Sequence, residues 1–145
     1  MEERRMSRMH MRIQTERAPE AIGPYSQAIA VPELGLLFTS GQIGLDPATG
    51  NLAEGGIEAE SRQVMENLAG VLEASGSGFH RVIKATVYLL DLSDFGRFNA
   101  IYAQRVGEPL PARSTVGVAS LPRGARLEVD LIASLADPGT AGLAH

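Results

Sequence analysis

The feature of this sequence that most constrains its fold is a repeated change of hydrophobic period along the chain. Apolar side chains across 57–72 recur at three- and four-residue spacing, which predicts an amphipathic helix ending at the glycine-rich 75–78 segment. A second stretch with this spacing covers 95–106, with Ser93 as its predicted cap. Strand-like segments surround both helices, so the predicted order is strand, strand, helix, strand, helix, strand, strand.

The predicted strands are β-branched or alternate apolar and polar side chains, and they cover 25–31, 36–40, 82–90, 114–120 and 126–134. The first two form a hairpin, and the last places Glu128 and Asp130 on its polar face. A sheet of roughly four to six strands with two helices on one face is the natural packing, which is an α+β, ferredoxin-like arrangement. One helical layer leaves the other sheet face uncovered, and we expect the protein to associate through it.

The chain has 145 residues and 15.4 kDa, the size of one domain. We predict a flexible N-terminal extension at 1–14, a single domain at 15–135 and a flexible C-terminal tail at 136–145. The first dozen residues lack the apolar region of a secretory signal, and no segment approaches the ~20 apolar residues of a membrane helix. The expected location is therefore cytoplasmic.

Composition removes several kinds of chemistry. The chain has no cysteine and three scattered histidines, which excludes thiolate nucleophiles and disulfides and argues against any metal site. The net charge is −4, and the first twelve residues carry +2, so the remainder is more acidic still. An acidic body with few aromatic residues argues against a nucleic-acid partner.

Without a phosphate-binding, zinc-protease or nucleophile-elbow motif, the chemistry that remains is carried by charged side chains on strands. Arg113 precedes a strand and can pair bidentately with a carboxylate, and Glu128 on the last strand can accept a proton. A short turn joins these strands, so we expect them to be neighbours with both side chains in one cleft. The alternative is a structural Arg113–Glu128 ion pair at the sheet edge.

At these residues the sequence closely resembles the YjgF/RidA family of enamine/imine deaminases. The resemblance is colinear from about residue 15 to about residue 133, and the segment containing Arg113, Pro-Ala-Arg-Ser-Thr-Val, is its most specific part. Other matching strings are Ile-Gly-Pro-Tyr-Ser-Gln-Ala at 22–28, Thr-Ser-Gly-Gln-Ile at 39–43, Asp-Pro-Ala-Thr-Gly at 46–50 and Val-Ile-Lys-Ala-Thr-Val at 82–87.

The resemblance implies a homotrimer with a ferredoxin-like or chorismate-mutase-like subunit and three clefts at the subunit interfaces. It implies that Arg113 grips the carboxylate of a 2-imino acid and that Glu128 activates the hydrolytic water. It also implies that the cleft needs no cofactor and no metal. The residues that it places along the cleft wall as substrate-binding are Tyr25, Ser40, Gly41, Asn99 and Thr115.

The expected reaction is hydrolysis of small 2-imino acids, such as 2-iminobutyrate and 2-iminopropionate, to 2-oxo acids and ammonia. The alternatives are a related hydrolase acting on an aminoacrylate-like intermediate, a carboxylate-binding regulatory trimer without turnover, and a ribonuclease. Three places depart from the family pattern: Thr115 stands where cysteine is common, Leu110 stands where phenylalanine is common, and the helix end lacks the aromatic that is common near Val106. The first removes thiol chemistry, and the other two alter the shape of the cleft.

Overall fold

A computed structural model describes residues 10–136, and its elements follow the predicted order with one additional strand at the start. The two helices are α1 (Gly56–Ala74) and α2 (Phe95–Ala103). The six strands are β1 (Met11–Ile13), β2 (Ala28–Val31), β3 (Leu36–Thr39), β4 (Val82–Leu89), β5 (Ala112–Gly117) and β6 (Leu127–Ser134). Short 3₁₀ turns lie at Phe79–Arg81, Leu92–Asp94 and Pro122–Gly124. The predicted α+β class is confirmed.

The strands form one mixed sheet in the order β1-β2-β3-β6-β4-β5. All neighbouring pairs are antiparallel except β4 and β5, which are parallel and are connected through α2. The last strand inserts between β3 and β4, so β4 separates β5 from β6. The expectation that β5 and β6 are neighbours is therefore wrong. Because β5 is parallel to β4, the chain crosses over through α2 between them and adds β5 on the outer side of β4, at the edge of the sheet. The final strand, β6, then occupies the position between β3 and β4.

The core lies between one face of this sheet and both helices. Val64, Leu68 and Leu72 of α1 are fully buried there. Burial of each such side chain contributes roughly 1.5–3 kcal/mol, which holds the helices on this face. The alternation predicted for the last strand is confirmed, since its inward residues are at most 1% exposed: Leu127, Val129, Leu131 and Ala133.

The opposite face of the sheet carries a mixture of apolar and charged side chains. Phe38 and Val116 are 41% and 43% exposed on it, and no helix of the described range packs there. The sequence prediction of two helices on a single face is thus confirmed. Association through the uncovered face remains a prediction.

The predicted terminal extensions need one correction. Met11–Ile13, placed in a flexible segment by the sequence analysis, forms β1 and pairs with β2. Residues 1–9 lie outside the described part of the chain. Of the predicted C-terminal tail only Ala136 is described, and its amide donates to the Gly76 carbonyl at 3.1 Å.

The helix ends show one correct and one wrong prediction. α1 stops as predicted, because Gly76 adopts a φ of 77° and the Ser77 amide returns to the Leu72 carbonyl at 2.8 Å. Ser93 does not cap α2: its amide instead donates to Asp91 Oδ1 at 2.9 Å within a 3₁₀ turn that precedes the helix.

Among the helices described, none has the length and apolarity to cross a membrane.

Candidate functional site

Arg113 and Glu128, the predicted catalytic pair, lie on opposite faces of the sheet. Arg113 is paired with Ala85, which faces the helices, whereas Glu128 is paired with Tyr88 on the uncovered face. Paired residues of neighbouring strands point to the same face. One subunit therefore cannot place both side chains in one cleft, and the expected proximity is wrong within a single chain. The alternative of an Arg113–Glu128 ion pair is wrong for the same reason.

The chain bulges immediately after β3. Phe38 pairs with Ile132, and the next bridge joins Gln42 to Val129. The β3 side therefore has one more residue than β6 between these bridges, and the extra residue falls within 39–41. Such a bulge leaves a residue unpaired and redirects the backbone around it, which is a common device beside functional sites.

The Glu128 carboxylate lies directly on this bulge. A Cβ atom at Gly41 would lie 2.7 Å from Glu128 Cδ and would collide with Oε1, so the close approach requires glycine. The Ser40 hydroxyl donates to the Ser26 carbonyl at 2.6 Å, and the Ser40 amide donates to the Gln27 carbonyl at 2.9 Å. Ser40 anchors the bulge, and its hydroxyl oxygen keeps acceptor capacity for a ligand.

Four of the predicted site residues line a single cleft of about 570 Å³: Tyr25, Ser40, Gly41 and Glu128. The apolar side chains of Ile22, Ile43 and Leu45 complete much of its wall, and Arg123 lies at the same cleft. The ring of Tyr25 is 53% exposed. This cleft, which we call the Glu128 half-site, opens on the uncovered side of the sheet.

Gln27 holds the segment that leads to Tyr25. Its side chain is 3% exposed, accepts from the Thr15 amide at 2.7 Å and donates to the Pro19 carbonyl at 2.8 Å. Gly23 follows this segment with a φ of 134°, a conformation that favours glycine. Sequence reasoning missed Gln27, because a single polar residue before an apolar strand carries no periodic signal.

The electrostatics of the Glu128 half-site favour a basic carboxylate. Burial, followed by the negative charge of Asp130, raises the pKa of Glu128 above its ordinary value. Burial also raises the pKa of Asp130, against the hydrogen bond from Tyr88 and the positive charge of Lys84, which lower it. The Tyr88 hydroxyl donates to Asp130 Oδ2 at 3.2 Å. A carboxylate with a raised pKa is a stronger base, as proton abstraction from water requires.

Within residues 10–136 no group of acidic, histidine or cysteine side chains is arranged to hold a metal.

On the other face, the Arg113 guanidinium rests on three aromatic rings of α2. Its Cζ lies 5.3 Å from the ring centroid of Phe95, 5.9 Å from that of Phe98 and 4.9 Å from that of Tyr102. In the described part of the chain, Arg113 forms no ion pair with an acidic side chain. Cation–π contacts of this kind contribute roughly 0.5–1 kcal/mol each and leave the N–H donors at the edge of the guanidinium for a ligand.

Asn99 and Thr115, also predicted to bind substrate, lie near the same arginine in the fold. Thr115 follows Arg113 by two residues on β5, so both point toward the helices, and Asn99 lies one turn beyond Phe95 in α2. Asn99 Oδ1 and Thr115 Oγ1 are buried without a hydrogen-bond partner among the described residues. Each such atom costs about 1–3 kcal/mol, so unpartnered groups gathered beside an unpaired arginine indicate a ligand site. We call this the Arg113 half-site.

Sequence reasoning missed the aromatic support of Arg113. Phe95, Phe98 and Tyr102 belong to the apolar spacing that predicts a helix over 95–106, and such spacing alone is typical of a helix face packed on the core. The available signal was the spacing of Asn99 from its neighbours, four residues after Phe95 and three before Tyr102, which puts a polar group on the same helix face.

The fold and these two half-sites define a small α+β protein that carries polar groups suited to ligand binding on both faces of one sheet. The Endoribonuclease L-PSP family model matches residues 15–135. The chain is 48% identical over 130 residues to protein DfrA of Myxococcus xanthus, covering 90% of this chain and 98% of DfrA. It is 48% identical over 121 residues to 2-iminobutanoate/2-iminopropanoate deaminase of Mus musculus, covering 83% and 88% of the two chains.

Among solved structures, the fold matches that of E. coli TdcF with bound serine at a TM-score of 0.79 and 37% sequence identity, covering 86% of this chain and 98% of TdcF. The chain belongs to the L-PSP family, also known as the YjgF/RidA family, which confirms the sequence resemblance.

Proposed function

We propose that this protein hydrolyses small 2-imino acids to 2-oxo acids and ammonia in the cytoplasm, at clefts between the subunits of a homotrimer. The observation that carries the proposal is the Arg113 guanidinium, which rests on aromatic rings and has no acidic partner within residues 10–136, beside buried polar atoms that also lack a partner in that range. A family relative named for this reaction, and another solved with bound serine, support a ligand with a carboxylate next to nitrogen.

The geometry of the half-sites supports the proposed subunit interface. Arg113 and Glu128 act on one substrate only if the Arg113 half-site of one subunit meets the Glu128 half-site of the next. The uncovered sheet face supplies the apolar contact area, with Phe38 and Val116 among its exposed side chains. A cyclic trimer closes this head-to-tail contact and produces three identical clefts.

In the proposed reaction the substrate carboxylate binds the planar fork of Arg113, and the C=N carbon is held near Glu128 of the neighbouring subunit. Glu128 accepts a proton from water as the water oxygen bonds to the iminium carbon, and the C=N π electrons move onto nitrogen. Glu128 then transfers this proton to the nitrogen of the carbinolamine. As the C–N bond breaks and ammonia leaves, the C=O bond of the 2-oxo acid forms and the hydroxyl proton passes to the Glu128 carboxylate, which releases it to ammonia. Orientation and one base suffice, since an iminium carbon is already electrophilic.

The test generates 2-iminobutyrate in situ with a threonine dehydratase and measures 2-oxobutyrate release above the uncatalysed rate. We expect the parent to accelerate release, and Arg113→Ala and Glu128→Gln each to lose that acceleration by about 100-fold or more. Circular dichroism and light scattering of each variant show whether fold and assembly are retained. Equal rates in the parent and both folded variants would contradict the proposed site.

Two alternatives make different predictions in the same assay. A related hydrolase for an aminoacrylate-like intermediate is compatible with Leu110, which is 64% exposed and, by the family resemblance, stands where phenylalanine is common. Such an enzyme would show weak turnover of 2-iminobutyrate and faster turnover of the unsaturated substrate. A carboxylate-binding trimer would bind 2-oxobutyrate through Arg113 without turnover. Ribonuclease activity has less support, because the net charge of −4 opposes binding to a phosphate backbone.

A further inference from the structure

The hydroxyl of Tyr102 is buried and has no hydrogen-bond partner among the residues that the structure describes. Tyr102 is 6% exposed, and its hydroxyl oxygen finds no donor or acceptor within residues 10–136. Buried tyrosine hydroxyls are normally hydrogen-bonded, and one that is not destabilises the folded state. A phenylalanine would fill the same volume and support Arg113 equally well by its ring, so the hydroxyl itself needs an explanation.

The surroundings of this hydroxyl point to a ligand. The ring of Tyr102 is the closest of the three to Arg113, with its centroid 4.9 Å from Cζ. Asn99 Oδ1 and Thr115 Oγ1, on the same helix and on the strand of Arg113, are also buried and unpartnered. A fourth such atom in the described range, Ser61 Oγ, belongs to α1.

We propose that Tyr102 is a further substrate-binding residue, whose hydroxyl donates a hydrogen bond to the carboxylate held by Arg113. The inference rests on the proposed function and deepens it. Arg113, Tyr102 and Thr115 supply donors for a carboxylate, whereas Asn99 Oδ1 accepts from an N–H group. The four groups together suit a compact acid that carries nitrogen on the adjacent carbon, which is the arrangement in a 2-imino acid.

The protonation of Tyr102 agrees with a donor role. Burial raises the pKa of its phenol above the ordinary value, and the nearby positive charge of Arg113 opposes this effect less strongly. The hydroxyl therefore keeps its hydrogen at neutral pH. A protonated phenol beside a guanidinium adds no negative charge to a site that must receive an anion.

The test is Tyr102→Phe in the full-length assembled protein, which removes one hydroxyl and keeps the ring under Arg113. We expect the melting temperature to rise by roughly 2–4 °C, because an unsatisfied buried group is removed. We also expect the Kd for 2-oxobutyrate, measured by calorimetry, and the KM for 2-iminobutyrate each to rise about tenfold. Tyr88→Phe is the matched control for stability: its hydroxyl has a partner in Asp130, so its loss lowers the melting temperature.

The inference is overturned if Tyr102→Phe leaves the Kd for 2-oxobutyrate unchanged, whatever happens to the melting temperature. It is also overturned if weaker binding comes with a lower melting temperature, since the hydroxyl would then be structural. A parent that binds 2-oxobutyrate but turns over no imine contradicts the proposed function alone, and the comparison of Kd values still decides the role of Tyr102. A parent that neither binds the oxo acid nor turns over the imine contradicts both.

Discussion

Gly41 and Glu128 are in contact across the β3 bulge, with the Glu128 carboxylate occupying the space where a side chain at residue 41 would begin. Space at this backbone position therefore determines where the carboxylate lies. The bulge and the glycine together leave room for Glu128 to point into the cleft.

We expect Gly41→Ala to displace Glu128 and reduce kcat about 100-fold. The KM for 2-iminobutyrate should change little, because Arg113 binds the carboxylate of the substrate. Single-turnover and steady-state rates with 2-iminobutyrate measure this. Gly96→Ala is the matched control. Gly96 lies in α2 with open space around its Cβ position, so alanine there stabilises the helix by up to about 1 kcal/mol and preserves kcat. Full activity in Gly41→Ala would show that Glu128 needs no fixed position.

Asp130 is expected to set the pH range in which Glu128 works. The ionised form of Glu128 is the base, so activity falls as pH drops through its raised pKa. Asp130→Asn removes a negative charge that contributes to this rise, which lowers the pKa of Glu128 and moves the acid limb of the kcat/KM profile to lower pH. Glu33→Gln, an equal change of charge in the exposed β2–β3 turn, should leave the limb in place. A limb that moves equally in both variants would indicate a general effect of net charge.

The aromatic support of Arg113 should contribute to substrate binding. Phe95→Leu keeps an apolar side chain and removes one ring from beneath the guanidinium, where the separation is 5.3 Å. We expect KM to rise about two- to fivefold with kcat little changed, which corresponds to roughly 0.5–1 kcal/mol for an exposed cation–π contact. Phe79→Leu removes a similar ring from beneath Arg105, at 5.1 Å, and should leave KM unaltered. Equal KM values for all three proteins would show that the rings only fill space.

Glu60 connects α1 to the start of β6 and is expected to be a major stabilising residue. Its carboxylate is 1% exposed, accepts from the Arg126 amide at 2.8 Å and pairs with the Arg126 guanidinium at 2.7 Å. Glu60→Ala removes both contacts and should reduce the free energy of unfolding by about 3 kcal/mol. Arg126→Leu keeps the backbone contact but leaves the buried carboxylate without its cation. Urea unfolding of the two variants compares these losses, and a change below about 0.5 kcal/mol in both would contradict a structural role for the pair.

The local elements of this fold are predictable from the sequence because their signals are local. The apolar spacing in 57–72 and the alternation along 127–133 each repeat over several turns or residue pairs, so α1 and β6 were located correctly. The pairing of β6 with β4 was not predictable in the same way. Strand neighbours are chosen by contacts between distant parts of the chain, and a short turn between β5 and β6 suggested a hairpin that the sheet does not contain.

The candidate site was predictable in its residue types and not in its geometry. The resemblance selected Arg113 and Glu128. Side chains alternate between the two faces of a strand, but which face a given residue occupies is known only once the pairing of that strand is known. The extra residue in the bulge at 39–41 gives no sequence signal apart from Gly41. Tyr102 was missed for a different reason. Its helical spacing is typical of a core residue, and its ring does lie in the core.

The division of the site between sheet faces gives the most specific expectation, which is complementation between two inactive variants. Arg113→Ala subunits retain Glu128, and Glu128→Gln subunits retain Arg113. If each cleft takes one residue from each of two neighbouring subunits, trimers mixed at equal concentration regain about a quarter of the parental activity, because random assembly places the two intact residues in one cleft at that frequency. Mixing requires subunit exchange, so the two variants are unfolded and refolded together, and each is refolded alone as the control. A mixture no more active than its components would mean that Arg113 and Glu128 do not act in a shared interface cleft.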